Sequence, residues 1–416
     1  MATIAVIGTM DTKGEEHQLL AELIRASGHA VTIIDVGIRR SSFPVDVTND
    51  RVATAAGETI GALDESRKRD GAIETMGRGA GAILRELQSR GAIHAAVALG
   101  GGGGTTLASL AFQHLPVGFP KLIVSTIAGQ EMRPFLHGSD VSITYAVLDI
   151  AGLNPVTRKI IRNAAGAISG MATAFASAKP DEPDSARPMV AVTAFGVTSE
   201  GVKIARRLLE ERGYEPMVFH AVGTGGESLE ALIRAGYFRG VLDLTTTELV
   251  DDLVGGVMSA GPNRLTAASE LGVPQVVSVG ALDMANLGPK EGIATEFRAR
   301  RLIPHNSLMT LMRTTVAENT ELGARLAKKV SATRGRASVA LPLRGTSSIS
   351  TAGGPFHDGA ADAALFASIR ANLAPNIRLI EIDAEINDER FIRAAVTELI
   401  ELISSSNHEA NVRHKI

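Results

Sequence analysis

The densest chemistry in this sequence lies in Leu99-Gly100-Gly101-Gly102-Gly103-Gly104-Thr105-Thr106. Five glycines let a backbone approach a ligand closely and turn several N–H groups toward one anion. A helix beginning at Thr105 would add the positive end of its dipole, and the hydroxyls can cap it or donate to phosphate. The run follows the apolar segment Ala95 to Leu99, and in an open parallel sheet ligands bind beyond the carboxyl ends of the strands. We therefore read Gly101, Gly102, Gly103, Gly104 and Thr105 as an anion site for a phosphate-bearing nucleotide, against the plainer alternative of a glycine turn with no ligand. No Lys-Ser/Thr pair follows the glycines, so this is not a Walker A loop. Thr105 stands where a dinucleotide fingerprint needs its third glycine, so it is not that either.

Two cations fit beside such a site. Lys13, in the turn Gly8-Thr9-Met10-Asp11-Thr12-Lys13, stands at a helix start, where a positive side chain is unfavourable unless an anion is near. Asp11 and Thr12 could cap that helix or hold Mg²⁺ through water. Arg78 lies in Gly77-Arg78-Gly79-Ala80-Gly81-Ala82, a formal dinucleotide match with no apolar strand before it. It is read either as a phosphate contact or as a solvated helix arginine.

The second half offers Pro304-His305-Asn306, Leu343-Arg344-Gly345-Thr346-Ser347, Gly353-Gly354-Pro355-Phe356-His357-Asp358 and Asp383-Ala384-Glu385-Ile386-Asn387-Asp388. Together these supply carboxylates, imidazoles and an arginine for acid–base chemistry, with His305 and Asp358 the candidate catalytic pair. Each taken alone is equally a turn or a helix cap. The ten histidines are scattered without metal-ligand spacing.

These residues need strands and helices to hold them, and the chain spells that frame twice. Ile4 to Ile7 reads as a buried strand, followed by a turn, an amphipathic stretch from Glu15 to Ala26, and a strand from Val31 to Val36, which makes a β-α-β unit. Val190 to Phe195, a turn, Val202 to Arg212 and a strand near Pro216 to His220 repeat it. Ala95 to Leu99 matches Gly240 to Leu244, and Gly118 to Ser125 matches Gly272 to Ser278. Three landmarks in one order indicate internal duplication. Asn154-Pro155 opens a long helix, and residues 179–188 read as an exposed linker. The expected architecture is α/β, two duplicated Rossmann-like lobes with mainly parallel sheets. A nucleotide-binding lobe spans 1–178; a second lobe, with a C-terminal extension, spans 189–405. The extension is expected to hold a helix near Leu308 to Lys329 and strands near Ser338 to Leu341 and Ile377 to Ile382.

A chain of 416 residues suits two domains, and 45% hydrophobic with 21% charged residues is the balance of a soluble globular protein. A net charge of −3 gives no electrostatic reason to expect nucleic acid or an anionic membrane as partner. The absence of cysteine excludes thiolate chemistry and disulfides. No stretch is apolar for long enough to cross a bilayer and no leader is recognisable, so a cytoplasmic location is expected.

Ile7-Gly8-Thr9-Met10-Asp11-Thr12-Lys13-Gly14-Glu15, the Leu99 to Thr105 run, His305-Asn306 to Arg313, and Arg344-Gly345 with Gly354-Pro355-Phe356 resemble a bacterial family similar to the N-terminal domain of the tomato mosaic virus resistance protein. The resemblance spans essentially the whole chain. It implies two Rossmann-like subdomains, ATP with Mg²⁺ bound in the first, and a homodimer. The implied ATP contacts fall on Asp11-Thr12-Lys13, Arg78 and Gly101 to Thr105. This chain departs from the pattern at Glu385, where the family commonly carries His. The expected function is an ATP-dependent enzyme acting on a small acid or sugar between the lobes. A non-catalytic nucleotide-binding regulatory or interaction module is the alternative.

Overall fold

A computed structural model of the chain describes residues 1–65, 69–178 and 187–413. Two compact units divide the chain, Met1–Pro183 and Asp184–Ile416. Of the expected linker, all but Arg187 and Pro188 lies outside the described residues.

The first unit is built on β1 (Thr3–Gly8), β2 (Ala30–Asp35), β3 (Ala95–Gly100), β4 (Lys121–Ser125) and β5 (Ser142–Tyr145). All pair in parallel, in the order β2-β1-β3-β4-β5. Helix α1 (Met10–Ala26) follows β1; α2 (Asn49–Ala55), α3 (Ile60–Glu65) and α4 (Arg69–Ser89) follow β2. Helix α5 (Gly102–Phe112) follows β3, and α6 (Pro155–Ser177) closes the unit.

Alternation along the strands explains the layers. Ile4 and Val6 pack with Leu20, Ile24, Ile161 and Ile168 of α1 and α6. Ala5 and Ile7 point the other way, into Met76, Leu84, Leu107 and Phe112 of α4 and α5. Gly77 belongs to that second layer. A Cβ there would lie 2.9 Å from the Leu110 Cβ, so the Gly77-Arg78-Gly79 segment is helix packed closely against α5 and not a ligand turn.

The second unit has β6 (Met189–Ala194), α7 (Ser199–Glu211), β7 (Glu215–His220), α8 (Thr224–Arg234), β8 (Gly240–Thr245), α9 (Glu248–Val254), α10 (Ala267–Leu271) and β9 (Gln275–Gly280). Then come β10 (Met284–Leu287), β11 (Leu302–Asn306), β12 (Met309–Arg313), α11 (Val316–Ser331), β13 (Ala337–Pro342), α12 (Gly359–Asn372), β14 (Arg378–Ile382) and α13 (Glu389–Arg413). Its main sheet runs β7-β6-β8-β9-β13-β14, all parallel. The order β2-β1-β3-β4 of the first sheet thus returns as β7-β6-β8-β9. Both units are Rossmann-like α/β lobes.

One expected element is corrected. The helix placed from Leu308 begins only at Val316, because Met309–Arg313 is a strand of the antiparallel sheet β10-β12-β11. Thr315 sets the helix start with a capping box: its Oγ1 accepts from Glu318 N at 3.2 Å, and Glu318 Oε2 accepts from Thr315 N at 2.7 Å. Among the described residues no helix is long and apolar enough to cross a membrane.

Candidate functional site

The glycine run sits where the sheet meets its helix layer, but the helix starts earlier than Thr105. Gly101 is the N-cap of α5 and offers no side chain to cap it. Gly102, Gly103 and Gly104 therefore form the first helical turn, and their N–H groups have no intrahelical acceptor. The first N–H to close back is that of Thr105, onto Gly101 O at 2.8 Å. Thr105 itself is fully buried. Its Oγ1 shares a 2.8 Å hydrogen bond with Ser125 Oγ, so the residue props the turn from beneath. Thr106 donates back to Gly102 O at 3.0 Å.

Packing explains some of these glycines and not others. At Gly100 a Cβ would lie 2.7 Å from the Gly104 Cα, so the tight turn itself demands glycine there. At Gly102 a Cβ would meet nothing within 4 Å. At Gly101 and Gly104 the nearest atoms would lie at 3.5 Å, an ordinary contact. The chain's own packing gives no reason for glycine at these three positions. Without side chains there, the backbone of the turn stays open to close approach.

The turn after β1 is held by a residue that sequence reasoning passed over. Asp35, at the end of β2, accepts from Met10 N at 3.1 Å and Gly37 N at 2.9 Å through Oδ1, and burial pushes its carboxyl above the usual range. A carboxylate closing the apolar run Ile33-Ile34 was a readable signal, since such a group is buried only with partners. Asp11 is half-buried; its Oδ2 accepts from Arg39 N at 3.2 Å, while Oδ1 is buried without a hydrogen-bond partner. Gly37 makes room for it, since a Cβ there would stand 2.5 Å from that oxygen. Thr12 Oγ1 donates to Thr9 Oγ1 at 2.7 Å.

Lys13 is not in helical conformation although α1 continues through it, with φ −132° and ψ 35°. This kink sends Nζ to the carbonyl oxygen of Ile150, 3.9 Å from Asp149 Oδ1, with 20% of the side chain exposed. Two buried residues brace the arrangement: His17 lies against the Lys13 carbonyl, and Glu16 Oε1 accepts from Gly152 N at 2.6 Å. Arg78 is exposed on α4, more than two turns from its start at Arg69, and reaches Thr75 Oγ1 at 3.5 Å.

In the second lobe, Asp358 is the N-cap of α12, its Oδ1 accepting from Ala361 N at 3.0 Å. His305 is exposed near the end of β11, on a hairpin whose Leu308 is 72% exposed. The larger electrostatic features of this lobe are buried. Arg264 is wholly enclosed, with guanidinium bonds to Asp243 at 2.5 and 2.6 Å and to Glu248 at 2.6 Å, and with Glu230 at 3.6 Å. Asp283 receives the hydroxyls of Thr346 at 3.0 Å and Ser347 at 2.8 Å, and burial raises its pKa to about 6. Among the described residues no three His, Asp or Glu side chains are grouped as a metal cage.

Protein-family models match the chain twice. Residues 2–177 match the N-terminal domain and residues 187–403 the C-terminal domain of the uncharacterised protein family UPF0261. A UPF0261 protein of Clostridium tetani is 42% identical over 402 residues, covering 96% of this chain and 98% of that protein. The tomato (Solanum lycopersicum) ToMV resistance protein Tm-1(GCR237) is 36% identical over 423 residues, covering 97% of this chain but 56% of the tomato protein. Among solved structures, UDP-GlcNAc 2-epimerase from Neisseria meningitidis bound to UDP-GlcNAc aligns at 11% identity with a TM-score of 0.24, covering 67% of this chain and 82% of that one. A likeness that slight carries no argument. The matches over both lobes do: this chain belongs to the UPF0261 family.

Proposed function

We propose that the N-terminal lobe binds a nucleoside triphosphate, ATP, as its Mg²⁺ complex, with the phosphates on the first turn of α5. The observation that carries this reading is the set of three glycines, Gly101, Gly102 and Gly104, that packing leaves unexplained at an uncapped helix start. Backbone N–H groups and the dipole of α5 would hold the phosphate oxygens. Lys13, in the turn after the neighbouring strand β1, and Arg78, on α4, are the candidate cations. Mg²⁺ is usually carried by phosphates with one or two carboxylates. Asp11, with one oxygen lacking a partner, fits that role directly or through water. The bound nucleotide supplies a transferable phosphoryl group.

In the first version of this proposal the nucleotide is consumed, and a small acid or sugar is processed with His305 and Asp358 as acid–base groups. In the second, binding alone is the function, and the chain is a nucleotide-responsive regulatory or interaction module. The capping duty of Asp358 and the exposed hairpin position of His305 favour the second. Calorimetric titration with MgATP tests binding. Incubation with MgATP and candidate acids and sugars, with His305→Ala and Asp358→Asn compared, tests catalysis. Product formation that either variant abolishes while MgATP binding survives establishes the enzyme, and binding without product establishes the module.

A further inference from the structure

Gly100, Ser125 and Tyr145 are register partners on three adjacent strands, so they form one row along the carboxyl edge of the first sheet. Ser125 is tied to α5 through Thr105. Thr126 N donates to Gly100 O at 3.1 Å, and Thr126 Oγ1 is the nearest atom to a Cβ placed on Gly101. The row therefore begins at the glycine turn and ends at an aromatic ring. Tyr145 is 50% exposed in a chain with three tyrosines and no tryptophan. Two strand spacings, roughly 10 Å, separate it from β3. Gly129 comes up beside the ring, where a Cβ would lie 3.7 Å from Cζ.

The next turn adds a second observation. Val147 has φ 65°, a left-handed conformation that β-branched residues avoid, and Leu148 N closes onto Ala146 O at 2.7 Å. Its side chain gains no burial in return, being 66% exposed. Strain of this kind clusters at ligand clamps and active sites. Here it sits two residues from Tyr145 and three from Ile150, whose carbonyl holds Lys13.

We propose that Tyr145 is the stacking platform for the purine base of the bound nucleotide, with Val147 as its apolar flank. This rests on the phosphate site put forward above and gives that site a surface for the base. A phosphate group on the α5 turn and a base on Tyr145 lie along one strand-end row, within the reach of one nucleotide. Stacking tolerates any purine and gives an affinity beyond that of the phosphates alone.

Calorimetry with two probes, MgATP and magnesium tripolyphosphate, separates the base from the phosphates. Tyr145→Ala is expected to weaken MgATP by about tenfold while leaving tripolyphosphate binding unchanged, which also shows that the variant is folded. Tyr145→Phe should restore MgATP binding. In a Tyr214→Phe/Tyr237→Phe chain Tyr145 is the sole tyrosine, and MgATP should quench its emission where tripolyphosphate does not. Unchanged MgATP affinity in Tyr145→Ala would overturn the assignment and leave the phosphate site standing. A change of oligomeric state without a change in MgATP affinity would overturn it in favour of a contact between copies. A wild-type chain that binds neither probe removes the phosphate site and the stacking proposal together.

Discussion

His17 Nδ1 lies 2.6 Å from the carbonyl oxygen of Lys13, one turn earlier on the same helix. A carbonyl can only accept, so Nδ1 carries the proton. The imidazole thereby donates to the carbonyl at the residue where the helix kinks. Gly8 gives the ring its space, since any Cβ there would run into it. His17→Leu removes this hydrogen bond and should cost about 0.5–1.5 kcal/mol in denaturant unfolding. His17→Asn, whose amide nitrogen can take the place of Nδ1, should recover part of that. Equal loss in both variants would show that the ring's volume matters and its hydrogen bond does not.

The same histidine gives a pH signature. Burial holds its pKa below the ordinary 6.5. The unfolded chain therefore takes up a proton near pH 6.5 that the native chain refuses until lower pH. The stability contribution is complete above pH 6.5 and declines as pH falls from there toward the depressed native value. His17→Asn should lack this decline when unfolding is followed between pH 7 and pH 5.

Gly100 and Gly102 should behave in opposite ways. Gly100→Ala forces a Cβ to within 2.7 Å of the Gly104 Cα, in a turn with no slack, and should destabilise by about 1–3 kcal/mol. Gly102→Ala meets open space and puts a better helix former in the first turn, so the thermal midpoint should hold or rise. It should nonetheless weaken MgATP at least tenfold by standing where the phosphate approaches. Undiminished MgATP affinity in Gly102→Ala would mean that the glycines serve something other than ligand approach.

Arg264 tests how far the second lobe depends on a buried charge. Burial opposes its ionisation, but Asp243 and Glu248 outweigh that and hold the guanidinium firmly protonated. Arg264→Met strands at least two buried carboxylates and should cost about 3–5 kcal/mol in equilibrium unfolding. Lysine cannot reproduce the forked contacts to Asp243 and Glu248 together, so Arg264→Lys should recover only part of the loss. Wild-type stability in Arg264→Lys would contradict this view of the cluster.

Asp251 titrates where few carboxylates do. Burial, against bonds from Asn286 N at 2.7 Å and Asn286 Nδ2 at 2.9 Å, raises it to about 7. A raised acid contributes stability that is fully present below its unfolded value near 3.8 and is lost as pH rises through about 7. Asn286 Oδ1 is buried without a partner. An amide at 251 could satisfy it once the Asn286 amide is turned over, an orientation that hydrogen bonding and not shape decides. Asp251→Asn should therefore remove the fall in stability between about pH 4 and pH 7, measured by urea unfolding. A fall of equal size in the variant would assign the titration elsewhere.

The frame of both lobes was legible because β1, β3, β6 and β8 are short apolar runs ending in turn residues, and the same turns recur in the same order. The small antiparallel sheet was not. Met309-Thr310-Leu311-Met312-Arg313 is too short for its alternation to separate a strand from a helix, and its identity comes from pairing with β10 and β11. The glycine run follows β3, as its apolar lead-in indicates, but the helix begins at Gly102, three residues before Thr105. Hydroxyls at Thr105-Thr106 look like caps, whereas Thr105 is drawn inward by Ser125, 20 residues away. Asp35, His17 and Arg264 stayed hidden for a related reason. Each acts on backbone or charge that only the folded chain brings beside it.

Calorimetric titration of the full chain with MgATP decides whether the first turn of α5 holds a nucleotide. Saturable binding of one nucleotide per chain is expected, weakened at least tenfold in Gly102→Ala and reduced in Lys13→Gln, with both variants folded. The second lobe has Thr245-Thr246-Thr247 where the first has its glycines, so a second equivalent of binding is not expected. No heat and no rise in thermal midpoint with MgATP, or affinity that both variants leave untouched, would contradict the claim.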